Sequence, residues 1–480
     1  MGGNALQFKR FLLSFTAFCL MTSTAPAAST LVSQDAVKSL NVTVYNNGLG
    51  LIKDTRSVSF QQGENALSFQ GVSAQIQPET ALFDGQGLKV LEQNFYFDLL
   101  SRESLLRKFL GKDIQVIETN LLSGKKTIEN AKVLSVDAGL VLQIGDRIET
   151  DYTGRLIFPD IPSDLYDQPT LVINVASDRN STQNVELSYL TNGLSWRADY
   201  VAELNDTEDK INLSGWVTLT NTSGIAYKNA NIQFVAGSVN RVRPPLQPRP
   251  MMKAARSMAM MNDAVVAEGM REEQLMDYHL YSLGRLTDIA SNQTKQLALL
   301  SASGAKVQKE YKFTNIVPSY KSRGNFGEFE TKNANVVLKM NNDKASNLGL
   351  SLPGGTIRVY KADSKHNMFF VGEDRISHTP ENGEIKLNLG SAFDVTVQGK
   401  ETAYTSFSDK AYEASYTLTF KNATDKPVKV TYQQNFPNQW SLTDSSLSYR
   451  TTSARQAEWI VDIPAKGQTV LNYTVRVKSP

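Results

Sequence analysis

Apolar and polar residues alternate with a period of two through most of this chain, and turn residues interrupt the alternation roughly every 8 to 12 positions. This pattern is typical of short antiparallel β-strands, because successive side chains of a strand point to opposite faces of the sheet. The clearest segments are 41–48, 64–71, 132–139, 216–224, 384–390, 415–422 and 469–478. The sequence therefore predicts a mainly β protein with several β-sandwich modules of the immunoglobulin type.

One segment follows helical spacing instead. Ser101 is a suitable N-cap, the apolar residues between 105 and 110 fall on one face, and Gly111 ends the pattern. Four or five short strands are expected between 112 and 160, and so few strands bury little surface unless they curl. We therefore expect one short helix followed by a small barrel of the SH3 or Sm type.

The same pattern divides the rest of the chain into regions. We predict an N-terminal β domain over 31–95, the helix with the barrel-like insert over 96–165, a first β-sandwich region over 166–340 and a C-terminal β-sandwich region over 341–480.

Internal similarities indicate that some modules are repeated. The segment 216–237 resembles 416–440, and a strand, a short polar turn and a second strand recur at 58–71, 286–300 and 461–475. Three tryptophans adjoin alternating apolar positions, which predicts that they are core residues: Trp216, Trp440 and Trp459.

The N-terminal 27 residues have the pattern of a secretory signal peptide. Lys9 and Arg10 precede a short apolar stretch, and small residues up to Ala27 supply a cleavage site. The apolar stretch is too short to cross a bilayer as a helix. Cleavage would remove Cys19, the single cysteine of the chain, so the exported protein would have no disulfide. We expect a periplasmic or secreted bacterial protein.

The charges of the chain nearly cancel. It has 50 Lys and Arg residues against 48 Asp and Glu residues, and Lys9 and Arg10 of the predicted signal peptide account for the excess. A chain without net positive charge lacks the attraction to phosphates that nucleic-acid binding usually needs. No apolar run of about 18 residues follows the signal peptide, so we expect no transmembrane span.

Residues 241–277 depart from the alternating pattern. They contain seven of the eleven methionines, and they are basic in the first part and acidic in the second. We favour a mobile loop that bridges two strands of one domain. The alternatives are an amphipathic segment that docks on a partner or a membrane surface, and a copper(I) site formed by Met258, Met260 and Met261.

The stretch 372–380 holds the side chains most suggestive of chemistry: Glu373, Asp374 and His378. On a strand, Asp374 and His378 share a face but lie about 13 Å apart at ~3.3 Å per residue, too far to share a proton or a metal ion without a bulge. The Pro-Glu-Asn-Gly sequence that follows favours a β-hairpin, in which His378 ends the incoming strand and can pair with Glu384 across the turn. We interpret the stretch as structural, with a ligand site or a catalytic site formed by these residues as alternatives.

Familiar catalytic patterns are missing from the sequence. The three histidines, His279, His366 and His378, do not have zinc-ligand spacing, and no nucleotide-binding or nucleophile motif is present. The paired carboxylates of a glycoside hydrolase need only meet in space, so they leave no sequence motif. The sequence thus predicts no cofactor, no metal ion and no catalytic residue, and it leaves a hidden hydrolase open.

Four stretches resemble a known bacterial family: 187–205, 213–242, 278–300 and 372–395. They are similar, in the same order, to the C-terminal domain of unknown function of mucoidy-inhibitor-A-like proteins, and the likeness covers roughly residues 170–480. Residues 41–83 are similar to the small β domain that precedes it in those proteins. The long coiled coil that many members carry between these parts is absent, and the barrel-like insert takes its place. The resemblance implies an exported or envelope-associated β protein and supplies no catalytic residues.

These observations predict a non-enzymatic binding or scaffold protein of the cell envelope, whose candidate partners are an envelope protein or a polysaccharide. The alternatives are a carbohydrate-active hydrolase that uses paired carboxylates and a copper-binding protein that uses the methionine-rich segment. The sequence does not specify the oligomeric state.

Overall fold

A computed structural model describes residues 29–478, apart from 97, 120–123, 138, 151, 163, 238, 241–269, 277, 318–326, 409 and 437–438. The predicted signal peptide and most of the methionine-rich segment, with Met258, Met260 and Met261, lie outside the described residues. The chain divides into two compact units. The first comprises Met1–Lys38, Thr55–Val72 and Phe83–Glu186, and the second comprises Ser39–Asp54, Ser73–Leu82 and Leu187–Pro480.

Short β-strands dominate the first part of the chain. They are β1 (Thr30–Val32), β2 (Val37–Tyr45), β3 (Leu49–Phe60), β4 (Gly63–Gln70), β5 (Leu82–Asp84), β6 (Leu88–Tyr96), β7 (Asp113–Thr119), β8 (Lys126–Ser135), β9 (Val141–Ile144), β10 (Arg147–Thr150), β11 (Arg155–Ile157), β12 (Thr170–Ser177), β13 (Ser181–Asn192), β14 (Leu194–Leu204), β15 (Lys210–Asn221) and β16 (Tyr227–Ala236).

The second part of the chain continues with fifteen further strands. They are β17 (Arg271–Leu275), β18 (Tyr278–Ser282), β19 (Thr287–Ile289), β20 (Gln293–Lys306), β21 (Gln308–Thr314), β22 (Lys332–Asn341), β23 (Gly355–Ala362), β24 (Met368–Ile376), β25 (Glu384–Ser408), β26 (Ala411–Asn422), β27 (Val428–Asn435), β28 (Gln439–Ser445), β29 (Tyr449–Ser453), β30 (Gln456–Ile463) and β31 (Gly467–Lys478). The prediction of a mainly β chain is confirmed.

Helical structure in the described part of the chain is limited to α1 (Arg102–Lys108) and three short 3-10 turns at Gln34–Ala36, Pro78–Thr80 and Lys344–Ser346. Ser101 caps α1: its hydroxyl accepts a hydrogen bond from the Ser104 backbone N–H at 3.1 Å, and the Ser104 side chain binds the Ser101 backbone in return. None of the described helical segments is long and apolar enough to cross a membrane.

The small β insert after α1 has its own core. Its five strands form an antiparallel sheet in the order β10-β9-β8-β7-β11. Leu106 and Phe109, from the end of the helix, are buried against the inward residues of the sheet, such as Val116 and Val133. The predicted helix and the five-stranded insert are therefore both present.

The sheets of the two units do not follow the predicted boundaries at 95 and 166. In the first unit the order is β1-β4-β12-β6, so β12 lies between two N-terminal strands although it follows the predicted boundary at 166. Conversely, β2 pairs in parallel with β16 of the second unit, with Val42 beside Ile232. Both differences arise because the strands pair with partners that are distant in the sequence, and local patterns do not encode such pairs.

The predicted boundary at 340–341 also divides strands that belong together. One sheet of the second unit has the order β20-β15-β14-β23-β24, and another has the order β28-β31-β26-β25-β22-β21-β27-β30-β29. The strands β21 and β22 therefore belong with the C-terminal strands, and β23 and β24 belong with the earlier sheet. The chain exchanges sheets here because β23 pairs in parallel with β14, which needs a crossover connection.

The predicted hairpin at 372–390 is not formed. Residues 372–376 lie on β24 as expected, but β24 pairs with β23, and β25 pairs with β22 in the other sheet. The side chain of Asn342 fixes the connection, because its amide donates to the carbonyls of Leu350 and Pro380 at 2.6 and 2.8 Å. The Pro380–Gly383 sequence forms a turn as predicted, but the turn connects strands of two different sheets.

The predicted internal repeat is visible in hydrogen bonds. Asn221 at the end of β15 donates to the carbonyls of Ile225 and Ala290 at 2.8 and 2.9 Å. Asn422 at the end of β26 donates to Lys426 and Pro464 at 2.8 and 3.0 Å. In each copy the asparagine side-chain oxygen accepts a hydrogen bond from the backbone N–H of the residue two positions later. The carbonyls of Ala290 and Pro464 belong to the repeated strand-turn-strand elements 286–300 and 461–475.

The predicted tryptophan anchors are only partly correct. Trp459 is fully buried and stacks on Tyr432 with ring centroids 5.2 Å apart, and Trp440 packs half-buried against the same core. Trp216 is partly exposed, because it shares the outward phase of β15 with Ser214 and Thr220. Trp196 of β14 is buried in its place, and the sequence interpretation missed it.

The described end of the methionine-rich segment is a strand. Arg271–Leu275 forms β17, which pairs antiparallel with β18, and β18 pairs with β16. The strands β16 and β17 therefore belong to one sheet of the second unit. The prediction that 241–277 is entirely a loop is wrong for its last residues.

Candidate functional site

Glu373 and Asp374 are both used by the fold. The Glu373 carboxylate pairs with the Nε of Arg358 on the neighbouring strand at 3.1 Å. The Asp374 carboxylate accepts hydrogen bonds from the backbone N–H of Arg375 at 2.7 Å and of Asn388 at 2.8 Å, so it fastens β24 to β25. The two carboxylates therefore have separate structural partners.

His378 lies two residues beyond the end of β24. Its Nδ1 accepts a hydrogen bond from the backbone N–H of Gly354 at 3.1 Å, which requires that nitrogen to be unprotonated. Partial burial, and next the charge of His279, lower the pKa of His378 and favour this neutral form. The predicted partner Glu384 pairs with Lys339 instead, at 2.7 Å.

A polar ladder that the sequence interpretation missed crosses the sheet β20-β15-β14-β23-β24. At its centre is Asp199, whose side chain is only 10% exposed. Asp199 accepts hydrogen bonds from Thr218 at 2.7 Å, Arg197 at 3.0 Å and Arg358 at 3.1 Å. Since Arg358 also pairs with Glu373, the ladder links the four strands β15, β14, β23 and β24.

The ladder brings the carboxylates of Asp199 and Glu373 to one arginine, Arg358. If the protein were a glycosidase, these two carboxylates would be a candidate catalytic pair. Burial opposes the ionisation of Asp199, but the hydrogen bonds from Thr218 and Arg358 outweigh it, and the pKa of Asp199 is lowered. A glycosidase needs one carboxyl group with a raised pKa to act as the general acid. The lowered pKa of Asp199 therefore suits an ion pair with Arg358 better than the role of general acid.

Glu401 is a second buried acid that the sequence interpretation missed. It is 1% exposed, and neither carboxylate oxygen accepts a hydrogen bond from the described part of the chain. It occupies the inward phase of β25 with Val395 and Val397, beside a β-bulge. Burial, and next the charge of Glu401, raise the pKa of Tyr416. A charge buried in this way lowers stability unless a cation reaches it.

The longest run of exposed large apolar side chains among the described residues of the second unit is the first half of β24. Four consecutive side chains are accessible: Met368 (49%), Phe369 (55%), Phe370 (55%) and Val371 (38%). Both faces of the strand are thus open to solvent. β24 is also the last strand of its sheet among the strands that the structure describes. An exposed apolar edge strand is a ready template for another strand, and soluble proteins usually avoid one. We refer to residues 368–371 as the apolar edge.

A rigid turn presents the apolar edge. The Asp363 carboxylate accepts hydrogen bonds from the backbone N–H groups of Lys365 at 2.8 Å and Asn367 at 2.9 Å. His366 takes the left-handed conformation that closes the turn, with φ of 64°. The tip is therefore ordered before any partner binds, which reduces the entropy lost on binding.

Acidic residues flank the apolar edge on one side. Met368 lines a shallow cleft of about 380 Å³ together with Glu203, Asp206 and Lys210. The carboxylate of Asp209, in the same loop, is hydrogen-bonded to Asn205 at 2.7 Å. In the part of the chain that the structure describes, no group of three or more His, Cys, Asp or Glu side chains is placed to hold a metal ion.

The fold and this surface define an all-β protein that presents an ordered apolar strand to solvent. Comparison with known families agrees with the sequence resemblance at the level of the domain. The chain belongs to the family of the Domain of unknown function (DUF4139), whose model matches residues 185–480. No curated protein matches the chain significantly.

Proposed function

We propose that this protein is a non-enzymatic binding or scaffold protein of the cell envelope, and that the apolar edge is its contact surface. The observation that carries the proposal is the row of four exposed apolar side chains on an edge strand. Burying such a row contributes roughly 25 cal/mol per Å² of apolar surface, so a partner that covers it is strongly favoured.

The titratable residues near the apolar edge support a binding role. Glu373, Asp374 and His378 each bind a structural partner, and Asp199 is held by two arginines. A general acid or base must be available to a substrate proton. These four side chains form hydrogen bonds and ion pairs within the fold. They therefore stabilise the surface, and the apolar residues 368–371 make the proposed contact with a partner.

The proposed location is the periplasm or the exterior of a bacterial cell. It is supported by the signal-peptide pattern of residues 1–27 and by the resemblance to mucoidy-inhibitor-A-like exported proteins, to which we propose this chain is related. N-terminal sequencing of the protein purified from its native cells should begin at Ala28 or one residue later. Retention of Met1 on a cytoplasmic protein would contradict the location.

A crosslinking experiment tests the contact surface. A photoreactive benzoylphenylalanine placed at Phe369 should give protein adducts when intact cells are irradiated. The same replacement at Phe407 is a matched control, since that phenylalanine is also 55% exposed but lies on β25 beside Arg476. Adducts at neither position, or equally at both, would contradict the proposed function.

A further inference from the structure

The side chains around the apolar edge have a self-complementary order. Lys365 and His366 precede the apolar residues 368–371, and Glu373 and Asp374 follow them. We propose that the occupant of the apolar edge is a second copy of this chain, paired antiparallel through β24. This inference rests on the proposed function and names the partner of the same surface.

Two-fold symmetry fixes the register of such a pair. The axis is normal to the sheet and keeps each side chain on its own face, so it must pass at a residue and not between two residues. If it passes at Phe369, Phe369 of one copy faces Phe369 of the other, and Met368 faces Phe370. Directly opposed aromatic and apolar pairs stabilise antiparallel strands. An interface of this kind is closed, because the same patch serves both copies, so it gives a dimer and not a fibre.

The charges favour the same arrangement. In this register the turn with Lys365 and His366 of one copy approaches Glu373 and Asp374 of the other. The basic and acidic ends therefore meet twice, once on each side of the axis. A parallel pair would bring like charges together at both ends, which is unfavourable.

The structure leaves this half of β24 available. Its contact with β25 begins at Gly372, where a Cβ atom would lie 2.6 Å from the Leu389 carbonyl oxygen, and continues through Asp374. Residues 368–371 precede that contact: Met368, Phe369 and Phe370 pair with β23 on one side only, and Val371 is the extra residue of a β-bulge. A membrane surface is the less favoured occupant, because Glu203 and Asp206 lie beside Met368 and anionic lipids would repel them.

Sedimentation of the purified mature chain tests the dimer. We expect a monomer–dimer equilibrium between about 1 and 100 μM, weaker at high salt because the end charges are exposed. Phe369→Lys combined with Phe370→Lys should weaken dimerisation by about 30-fold or more, the effect typical of central contact residues. Phe407→Lys should leave it unchanged.

Engineered cysteines test the register. The mature chain has no cysteine, since Cys19 belongs to the predicted signal peptide. Phe369→Cys should form a covalent dimer on mild oxidation, because the two copies of this position face each other. Phe370→Cys should stay unlinked, because its two copies lie two positions out of register, which places their Cα atoms beyond the ~7 Å that a disulfide can span.

The outcomes separate the inference from the proposed function. A monomer at 100 μM, together with cellular adducts of Phe369 to other proteins only, would overturn the dimer and leave the binding role intact. No adduct of any kind from Phe369 would overturn both. A dimer that survives the double lysine variant, or one that Phe370→Cys links as readily as Phe369→Cys does, would overturn the pairing through β24.

Discussion

Replacing Asp199 by asparagine tests whether the polar ladder stabilises the sheet that carries the apolar edge. The substitution keeps the shape of the side chain but removes its charge. It also places an amide N–H₂ group, which can only donate, next to Thr218, Arg197 and Arg358, which donate to Asp199 in the wild type. A hydrogen bond to a charged group contributes about 1.5 to 3 kcal/mol. Arg197 and Arg358 are 67% and 38% exposed and regain water when the carboxylate is lost. We therefore expect a loss of about 2 kcal/mol in the free energy of unfolding, below the sum of the separate bonds.

Urea unfolding followed by tryptophan fluorescence measures this loss, because Trp196 is buried on the same strand as Asp199. All four tryptophans lie in the second unit, so the fluorescence reports the unfolding of the unit that contains Asp199 and not that of the whole chain. Glu203→Gln is the matched control: the residue lies on the same strand and phase but is exposed, so its effect should stay within about 0.5 kcal/mol.

The pH dependence gives an independent check. The folded-state pKa of Asp199 is lowered, so its contribution to stability is present above the unfolded-state value of 3.8 and is lost as the pH falls through the folded-state value. The difference between the wild type and Asp199→Asn should therefore be constant near neutral pH and shrink below about pH 4. An effect no larger than that of the control, or one that persists unchanged in acid, would refute the role given to the ladder.

Four further substitutions test the other buried or engaged groups. Asn221→Asp and Asn422→Asp should each lower the free energy of unfolding by about 2 to 3 kcal/mol, because a carboxylate would then face two carbonyl oxygens. Clearly unequal losses at the two positions would argue against a repeated motif. Glu401→Met should raise the melting temperature and increase the free energy of unfolding by about 1 kcal/mol or more. A lower melting temperature would contradict the interpretation of Glu401 as a buried acid that destabilises the fold. His378→Ala should lower the unfolding free energy by about 1 kcal/mol, the usual contribution of one hydrogen bond, and a much larger effect, or a loss of Phe369 adducts in cells, would contradict its structural role.

Several features of the fold could be predicted because they depend on neighbouring residues. Alternation with period two predicted the strands, and the Ser101 cap with Gly111 predicted α1 within a residue or two. The similarity of 216–237 to 416–440 predicted a repeat, and the equivalent bonds of Asn221 and Asn422 confirm it. In each case the signal lies within about 25 residues of sequence.

The candidate surface could be predicted only in part. Acids close to a histidine suggest chemistry in the stretch 372–380. Glu373, Asp374 and His378 each have a structural partner instead. The apolar run 368–371 is equally plain in the sequence, but a run of four apolar residues usually marks a buried strand. Only the sheet order shows that β24 is an edge and that the run faces solvent.

By itself, then, the sequence determined which segments are strands and where the short helix begins, since phase and capping are local properties. The tertiary structure alone decided that β12 joins the N-terminal strands, that β24 and β25 lie in different sheets, and that Asp199 meets Arg358. The physical reason is that strand pairing is made by backbone hydrogen bonds, which are the same for every residue. Which strand becomes an edge, and which charge becomes buried, therefore depends on how all the sheets pack together.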